Sequence, residues 1–237
     1  MKNLTVLLLT CLCLPNLLFS QEINDSENLQ DCVDRLYGTN DLLVNGRTYV
    51  PVNTKASGHP FFAREEFTKG TIYVRSKAFV NVDIRYDVEK DQLVLRQNLN
   101  NGIPVQVVVT PALVDSFMIN NHHFVNNTHV SSNNYGNGFM KELYASEIGF
   151  YQKTIKLFYP TYSKIHPNGR YGEEEVSYYL VRSGQMYEVR NKQDFLKYFS
   201  EHKKEIKLFL KQKSIRFRKA TDNQFFNLLK YCNEIIR

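Results

Sequence analysis

The chain has 237 residues, 43% apolar and 23% charged, with no long low-complexity tract, which excludes a disordered or collagen-like protein. Thirty Lys and Arg against 24 Asp and Glu leave a formal net charge of +6. Fifteen tyrosines and sixteen phenylalanines without a tryptophan favour sheet surfaces, where flat, half-buried rings pack on the pleat.

Residues 1–20 read as a signal peptide: Lys2, an apolar run from Leu4 to Phe19, then the small Ser20 before a cut at Gln21. Thr10, Pro15 and Asn16 interrupt a run already short of the about 20 apolar residues that span a bilayer. No later segment is long and apolar enough, so the processed chain is expected not to be transmembrane. It is expected in the periplasm or outside the cell, away from nucleic acid. Cys11 and Cys13 lie inside the apolar run rather than at its end, which argues against a lipid anchor.

Residues 21–40 form a polar tail and a short helix from about Glu27 to Tyr37, ended by Gly38. Residues 41–190 carry strand periodicity. Leu42 to Val44 and Arg47 to Val50 flank Asn45-Gly46, a tight-hairpin signal. Lys55 to Phe67 breaks the pattern into a loop with an exposed-looking Phe61-Phe62 pair. Strand periodicity returns at Thr71 to Arg75. Val80, Val82, Ile84, Tyr86 and Val88 then alternate strictly with Asn81, Asp83, Arg85 and Asp87, so one face is expected inward and the other outward. Arg85 is placed to neutralise its acidic neighbours.

Glu89-Lys90-Asp91 turns the chain into Gln92 to Arg96. Further strands are expected at Val105 to Val109, Ser116 to Ile119, His122 to Val125, Phe139 to Tyr144, Tyr151 to Tyr159, Val176 to Val181 and Met186 to Arg190, the last two joined by Ser183-Gly184. Asn126 to Asn137, rich in Asn and Ser, is expected to be a mobile loop, and Pro160 to Glu175 a long excursion between strands. Strands in succession without intervening helices argue for an antiparallel meander that is curved or partly closed.

Residues 191–237 change to a period of about 3.6. Asn191 is placed as an N-cap, a second helix is expected from Glu201 to Lys213, and Thr221 with Gln224 suits a capping box. The apolar stripes of these short helices need the sheet to complete their burial. The predicted fold is therefore α+β and mainly β, with an N-terminal helix and a C-terminal cluster of about three helices docked on the sheet.

Ten Lys or Arg between Lys192 and Lys219 face three acids, Asp194, Glu201 and Glu205, a net of +7. Lys203, Lys207 and Lys211 recur at i, i+4 and i+8 and form one helical ridge. The ridge suits an anionic lipid surface, an acidic glycan or an acidic envelope protein, and equally suits a solvated helix face. Once the leader is gone, Cys32 and Cys232 remain, each on an apolar helical stripe. They either bridge the chain ends in an oxidising compartment or act as two buried thiols.

No sequence signature of an enzyme, metal site or cofactor site stands out. G-x-S-x-G, H-E-x-x-H and a phosphate-binding glycine loop are missing, as is C-x-x-C beyond the leader. The acids around Asp83 to Asp91 lack the spacing of a helix-loop-helix calcium site. His122 and His123 point to opposite faces of a strand and so make no ready metal pair. A non-linear hydrolytic grouping would draw on Asp115, His122 and Ser131 or Ser132. No cofactor or metal is expected, and no catalytic residue is assigned.

The stretch Tyr86-Asp87-Val88-Glu89-Lys90-Asp91-Gln92-Leu93, the stretch Asn191-Lys192-Gln193-Asp194-Phe195 with the basic helix through Phe209, and the closing segment Thr221 to Asn233 together resemble exported proteins of Bacteroidota without an assigned biochemical function. The resemblance covers most of the processed chain. It implies export and one shared architecture, and it transfers no catalytic residue. The expectation from the sequence is a non-enzymatic envelope protein that binds a partner or ligand through the concave side of its sheet or its loops. The alternatives are a carrier of an apolar molecule and a hydrolase with a non-linear site.

Overall fold

The computed structural model describes residues 46–98, 102–130 and 138–236. The leader, the helix expected near Glu27 to Tyr37, Leu42 to Asn45, Cys32, Ser131 and Ser132 lie outside the described residues. In chain order the strands are β1 (Arg47–Thr48), β2 (Thr68–Val74), β3 (Lys77–Asp87), β4 (Gln92–Asn98), β5 (Pro104–Val108), β6 (Val114–Ile119), β7 (His122–Asn126), β8 (Phe139–Tyr144), β9 (Ile148–Ile155), β10 (Phe158–Tyr159), β11 (Arg170–Tyr171), β12 (Glu175–Arg182) and β13 (Gln185–Val189). A single turn of helix, α1 (Asn127–Val130), follows β7, and α2 (Lys192–Tyr198), α3 (Lys203–Gln212) and α4 (Asp222–Ile235) close the chain.

Among the described residues, eleven strands form one antiparallel sheet in the order β1-β5-β4-β3-β2-β6-β7-β8-β9-β12-β13, and β10 and β11 pair separately. Among the described residues the sheet is not closed, and β1 and β13 are its edges. It bends sharply all the same. The Tyr86 ring on β3 meets the Phe139 ring on β8 with centroids 6.1 Å apart, although three strands separate them in the sheet. Flat neighbours spaced about 4.8 Å apart would hold those strands near 19 Å from each other. Beyond the end of β3, Asp91 reaches Lys153 on β9 in an ion pair and accepts from the Tyr86 hydroxyl. The Phe139 N–H donates to the same carboxylate. A Cβ on Gly138 would collide with Asp91, so glycine is needed where the two ends of the bend converge.

Two apolar cores lie on one face of this sheet. In the first, Tyr86, Phe117, Phe124 and Phe139 pack ring to ring with centroids 4.9 to 6.1 Å apart, enclosed by Ile72, Ile84, Leu93 and Leu95. In the second, Phe150, Tyr178 and Leu180 of β9 and β12 meet Phe195, Ile206, Leu210, Phe225, Leu228 and Leu229 of the helices. The helices thus find on the sheet the burial their short stripes cannot supply alone. Their starts are fixed locally. Asn191 accepts from the Gln193 and Asp194 N–H groups at the start of α2, and Thr221 with Gln224 forms a complete capping box on α4. Ser183 (φ 52°) and Gly184 (φ 75°) make the tight turn between β12 and β13.

The strict alternation expected across β3 slips by one residue. Gly70 pairs with Val82 and Ile72 with Phe79, so Val80 and Asn81 both stand opposite Thr71 in a bulge, with Asn81 at φ 58°. Phe79 therefore enters the core and Val80 is exposed, the reverse of the phase read from sequence. The strand expected from Tyr151 to Tyr159 ends at Ile155, where Lys156 turns inward. The first arm and Asn45 of the expected Asn45-Gly46 hairpin lie outside the described residues; of its second arm, Arg47 and Thr48 pair with Val108 and Val107 of β5. A Cβ at Gly46 would collide with the Val108 carbonyl oxygen. Asn126, expected to open a mobile loop, is buried and bracketed. Its Nδ2 donates to the Pro111 and Val114 carbonyls at 2.9 and 3.0 Å, and its Oδ1 accepts from Thr128.

Candidate functional site

Between the two cores a polar seam crosses the same face of the sheet. Lys141 on β8 is buried and donates to both oxygens of Asp222 at 3.0 and 3.1 Å. Asp222 opens α4, where a carboxylate also suits the positive end of the helix. His122 on β7 points its Nδ1 at the same carboxylate, 3.3 Å away, with its ring edge-on to Phe62. Burial, and then the Lys141 ammonium, hold the His122 imidazole below its ordinary value against the pull of Asp222. Gln152, which pairs with Lys141 across the ladder, donates to Thr154 at 3.1 Å. The seam fastens the helical layer to the sheet.

Just past the end of β9, Lys156 donates to the Phe61 carbonyl at 2.7 Å and lies 3.6 Å from Glu174, which in turn accepts from the Ala63 N–H at 3.0 Å. These contacts pull the loop before β2 onto the sheet. Phe61 and Phe62, read from sequence as exposed, are both buried. Phe62 enters the first core against Phe124. Phe61 packs on the other face with Tyr49, Val94 and Val108. Arg85, expected to neutralise Asp83 and Asp87, instead lies over the Phe61 and Phe67 rings, 3.8 and 4.4 Å from their centroids, and donates to Gln106. Asp83 is matched by Lys69 and Arg96. Asp87 is fully buried and accepts from the Tyr49 hydroxyl and from the Glu89 and Lys90 N–H groups, shaping the turn.

Lys156, Glu174 and His59 line a shallow depression of about 410 Å³ together with Gly58, Ala63, Tyr171, Gly172 and Glu173. Each of the first three already holds backbone: His59 Nδ1 accepts from the Phe61 N–H at 3.2 Å, and Lys156 and Glu174 grip residues 61 and 63 as above. Burial, and then Lys156, push the His59 imidazole down.

The excursion from Leu157 to Gly172, built on the β10 and β11 pair, borders this depression through Tyr171 and Gly172. It is pinned to Ser57 by three contacts and to the turn after β3 by a fourth. The Ser57 N–H donates to the Gly169 carbonyl and the Tyr171 N–H to the Ser57 carbonyl. His166 Nδ1 and Ser57 Oγ lie 2.9 Å apart, and the Tyr171 hydroxyl donates to Glu89 at 3.2 Å. Gly169, at φ 78°, lets the chain pass beneath the Phe158 ring, where a Cβ would clash. Arg170 lies 5.1 Å over the Tyr159 ring. The backbone is held while the apolar side chains at the tip point outward: Tyr162 is 70% exposed and Ile165 81% exposed, with Leu157 and Tyr159 exposed at the base.

The second surface is the helical layer. Lys203, Lys207 and Lys211 fall on α3 as read from sequence and are exposed. Cys232 is completely buried among the α4 contacts, and burial pushes its thiol up to about 12. Cys32, the other member of the bridge alternative, lies outside the described residues. The hydrolytic grouping does not assemble among the described residues: Asp115 accepts from the Ser76 N–H and faces His129 at 3.7 Å, whereas His122 faces Asp222. His123, on the opposite face from His122, lies 3.4 Å from Glu142. No cluster of three metal-ligating side chains occurs among the described residues, and none of their helices is long and apolar enough to cross a membrane. Comparison with family models, curated proteins and solved structures finds no match.

Proposed function

We propose that this is an exported, non-enzymatic envelope protein that binds a protein partner through the excursion from Leu157 to Gly172. The observation that carries the reading is the contrast between interior and tip. The bent face of the sheet is filled by mutually packed rings. Tyr162 and Ile165, in turn, are held out in water on a segment whose backbone is bonded in place. Exposed apolar groups on a fixed scaffold bind well because little conformational freedom is lost on contact, and tyrosine is favoured at such contacts. The filled interior favours a surface binder over a carrier of an apolar molecule, which needs an empty apolar cavity. Lys156, Glu174 and His59 serve the loop rather than a substrate, which favours binding over hydrolysis.

The test is the double variant Tyr162→Ser/Ile165→Ser in the full chain. Its stability should stay within about 0.5 kcal/mol of the parent, because both side chains are exposed. Chemical cross-linking in intact envelopes should lose the partner band that the parent chain gives. A partner band of unchanged yield from the double variant would overturn the reading.

A further inference from the structure

We infer that the outer face of α3 docks on the surface of an anionic lipid bilayer. Ile206 and Leu210 turn inward from this helix, and Phe209 stacks on Tyr231 with ring centroids 4.3 Å apart. The opposite face carries Lys203, Lys204, Lys207 and Lys211, all exposed. Lys203, Lys207 and Lys211 follow one another at successive turns along about 12 Å of helix.

The density of cations, ten Lys or Arg against three acids from Lys192 to Lys219, sets this layer apart. On the sheet, Lys69, Arg96, Lys141, Lys153, Lys156 and Arg182 are each matched by a carboxylate. Among the described residues, none of the ten Lys or Arg from Lys192 to Lys219 forms an ion pair, although Asp194, Glu201 and Glu205 lie in the same stretch. Cations elsewhere, Lys55, Lys77 and Lys164 among them, also stand without an ion pair among the described residues, but the stretch from Lys192 to Lys219 concentrates ten Lys or Arg against three acids, and its positive field calls for anions from outside.

Two features favour a bilayer over a discrete anion or an acidic protein. The ammonium groups are spread along a ridge of flexible stems and do not converge on a pocket, an arrangement suited to a laterally mobile array of head groups. Leu208, one turn from Lys204, Lys211 and the exposed Glu205, is 55% exposed and stands outside the apolar core of the helical layer. Lysines around an exposed leucine are how an interfacial helix combines attraction to head groups with shallow apolar insertion. This surface is independent of the excursion, and the inference does not rest on a partner there.

The experiment is co-sedimentation of the processed full chain with vesicles of phosphatidylethanolamine and phosphatidylglycerol, against vesicles of phosphatidylcholine alone, at low and physiological salt. Binding is expected to the anionic vesicles only and to weaken as salt rises. At about fivefold per lysine, Lys203→Gln/Lys207→Gln/Lys211→Gln should lower the affinity on the order of 100-fold. A control of equal net charge, Lys55→Gln/Lys77→Gln/Lys164→Gln, should lower it far less, and Leu208→Ser should weaken it while leaving the salt dependence in place. Equal loss in both triple variants, equal binding to both vesicle types, or retention on an anionic polysaccharide without vesicle binding would each overturn the inference. Since Tyr162→Ser/Ile165→Ser leaves the ridge intact, that variant should bind vesicles like the parent, which separates failure here from failure of the partner reading.

Discussion

Phe225→Ala is expected to destabilise the protein by about 3–5 kcal/mol, the range for removing a large buried ring. For a chain of this size that lowers the melting temperature by roughly 10 °C. Phe225 is 1% exposed and stands where sheet and helices meet, with ring centroids 5.2 Å from Phe150, 4.9 Å from Tyr178 and 5.2 Å from Phe217. The cavity left by alanine would open between layers that no local backbone shift can close. Its neighbour Phe226 provides the control, because it lies on the outer side of the same turn, is 46% exposed and meets the sheet through the Tyr144 ring, at 5.5 Å. Phe226→Ala should cost less than about 1 kcal/mol. Equal losses in the two variants, read from denaturant midpoints, would mean that α4 presents a different face to the sheet.

The seam supplies the second large effect. Asp222→Ala leaves the buried Lys141 ammonium without its carboxylate, and breaking such a pair is costly because the remaining charge stays desolvated. Asp222 is about half open to water, so the ammonium can recover some hydration, and about 2–3 kcal/mol is expected. Lys141→Met/Asp222→Ala should restore stability to within about 1 kcal/mol of the parent, since an apolar chain of similar length fills the space without needing a partner. The urea midpoints of parent, single and double variants measure the coupling. If Asp222→Ala and the double variant are equally unstable, the pair is not what joins α4 to β8.

Features set by neighbouring residues were legible in the sequence. Asn191 and the Thr221 and Gln224 pair cap their helices as read, Ser183-Gly184 turns as read, and the lysine ridge follows from helical spacing alone. What escaped was set by residues far along the chain. The bulge at Asn81 depends on the register against β2 and inverts the burial of Phe79 and Val80. Phe61 and Phe62 are buried because Lys156 and Glu174, 95 and 111 residues from the loop groups they bind, draw that loop inward. Arg85 takes aromatic partners brought from the same loop rather than its acidic neighbours in the strand. The presence of an excursion around His166-Pro167-Asn168-Gly169 could be read, but not its limits, expected at Pro160 and Glu175, nor the β10 and β11 pair inside it, nor which of its apolar side chains face outward. That is decided by the bonds to Ser57 and by the fit of Phe158 over Gly169.

The central claim is that this fold is solid within and acts from its surface. Native mass spectrometry of the full chain, purified from its own envelope and washed with detergent, tests it most directly. The expected result is the mass of the bare polypeptide. An apolar small molecule held in one-to-one ratio through the wash and released only when the protein unfolds would contradict it.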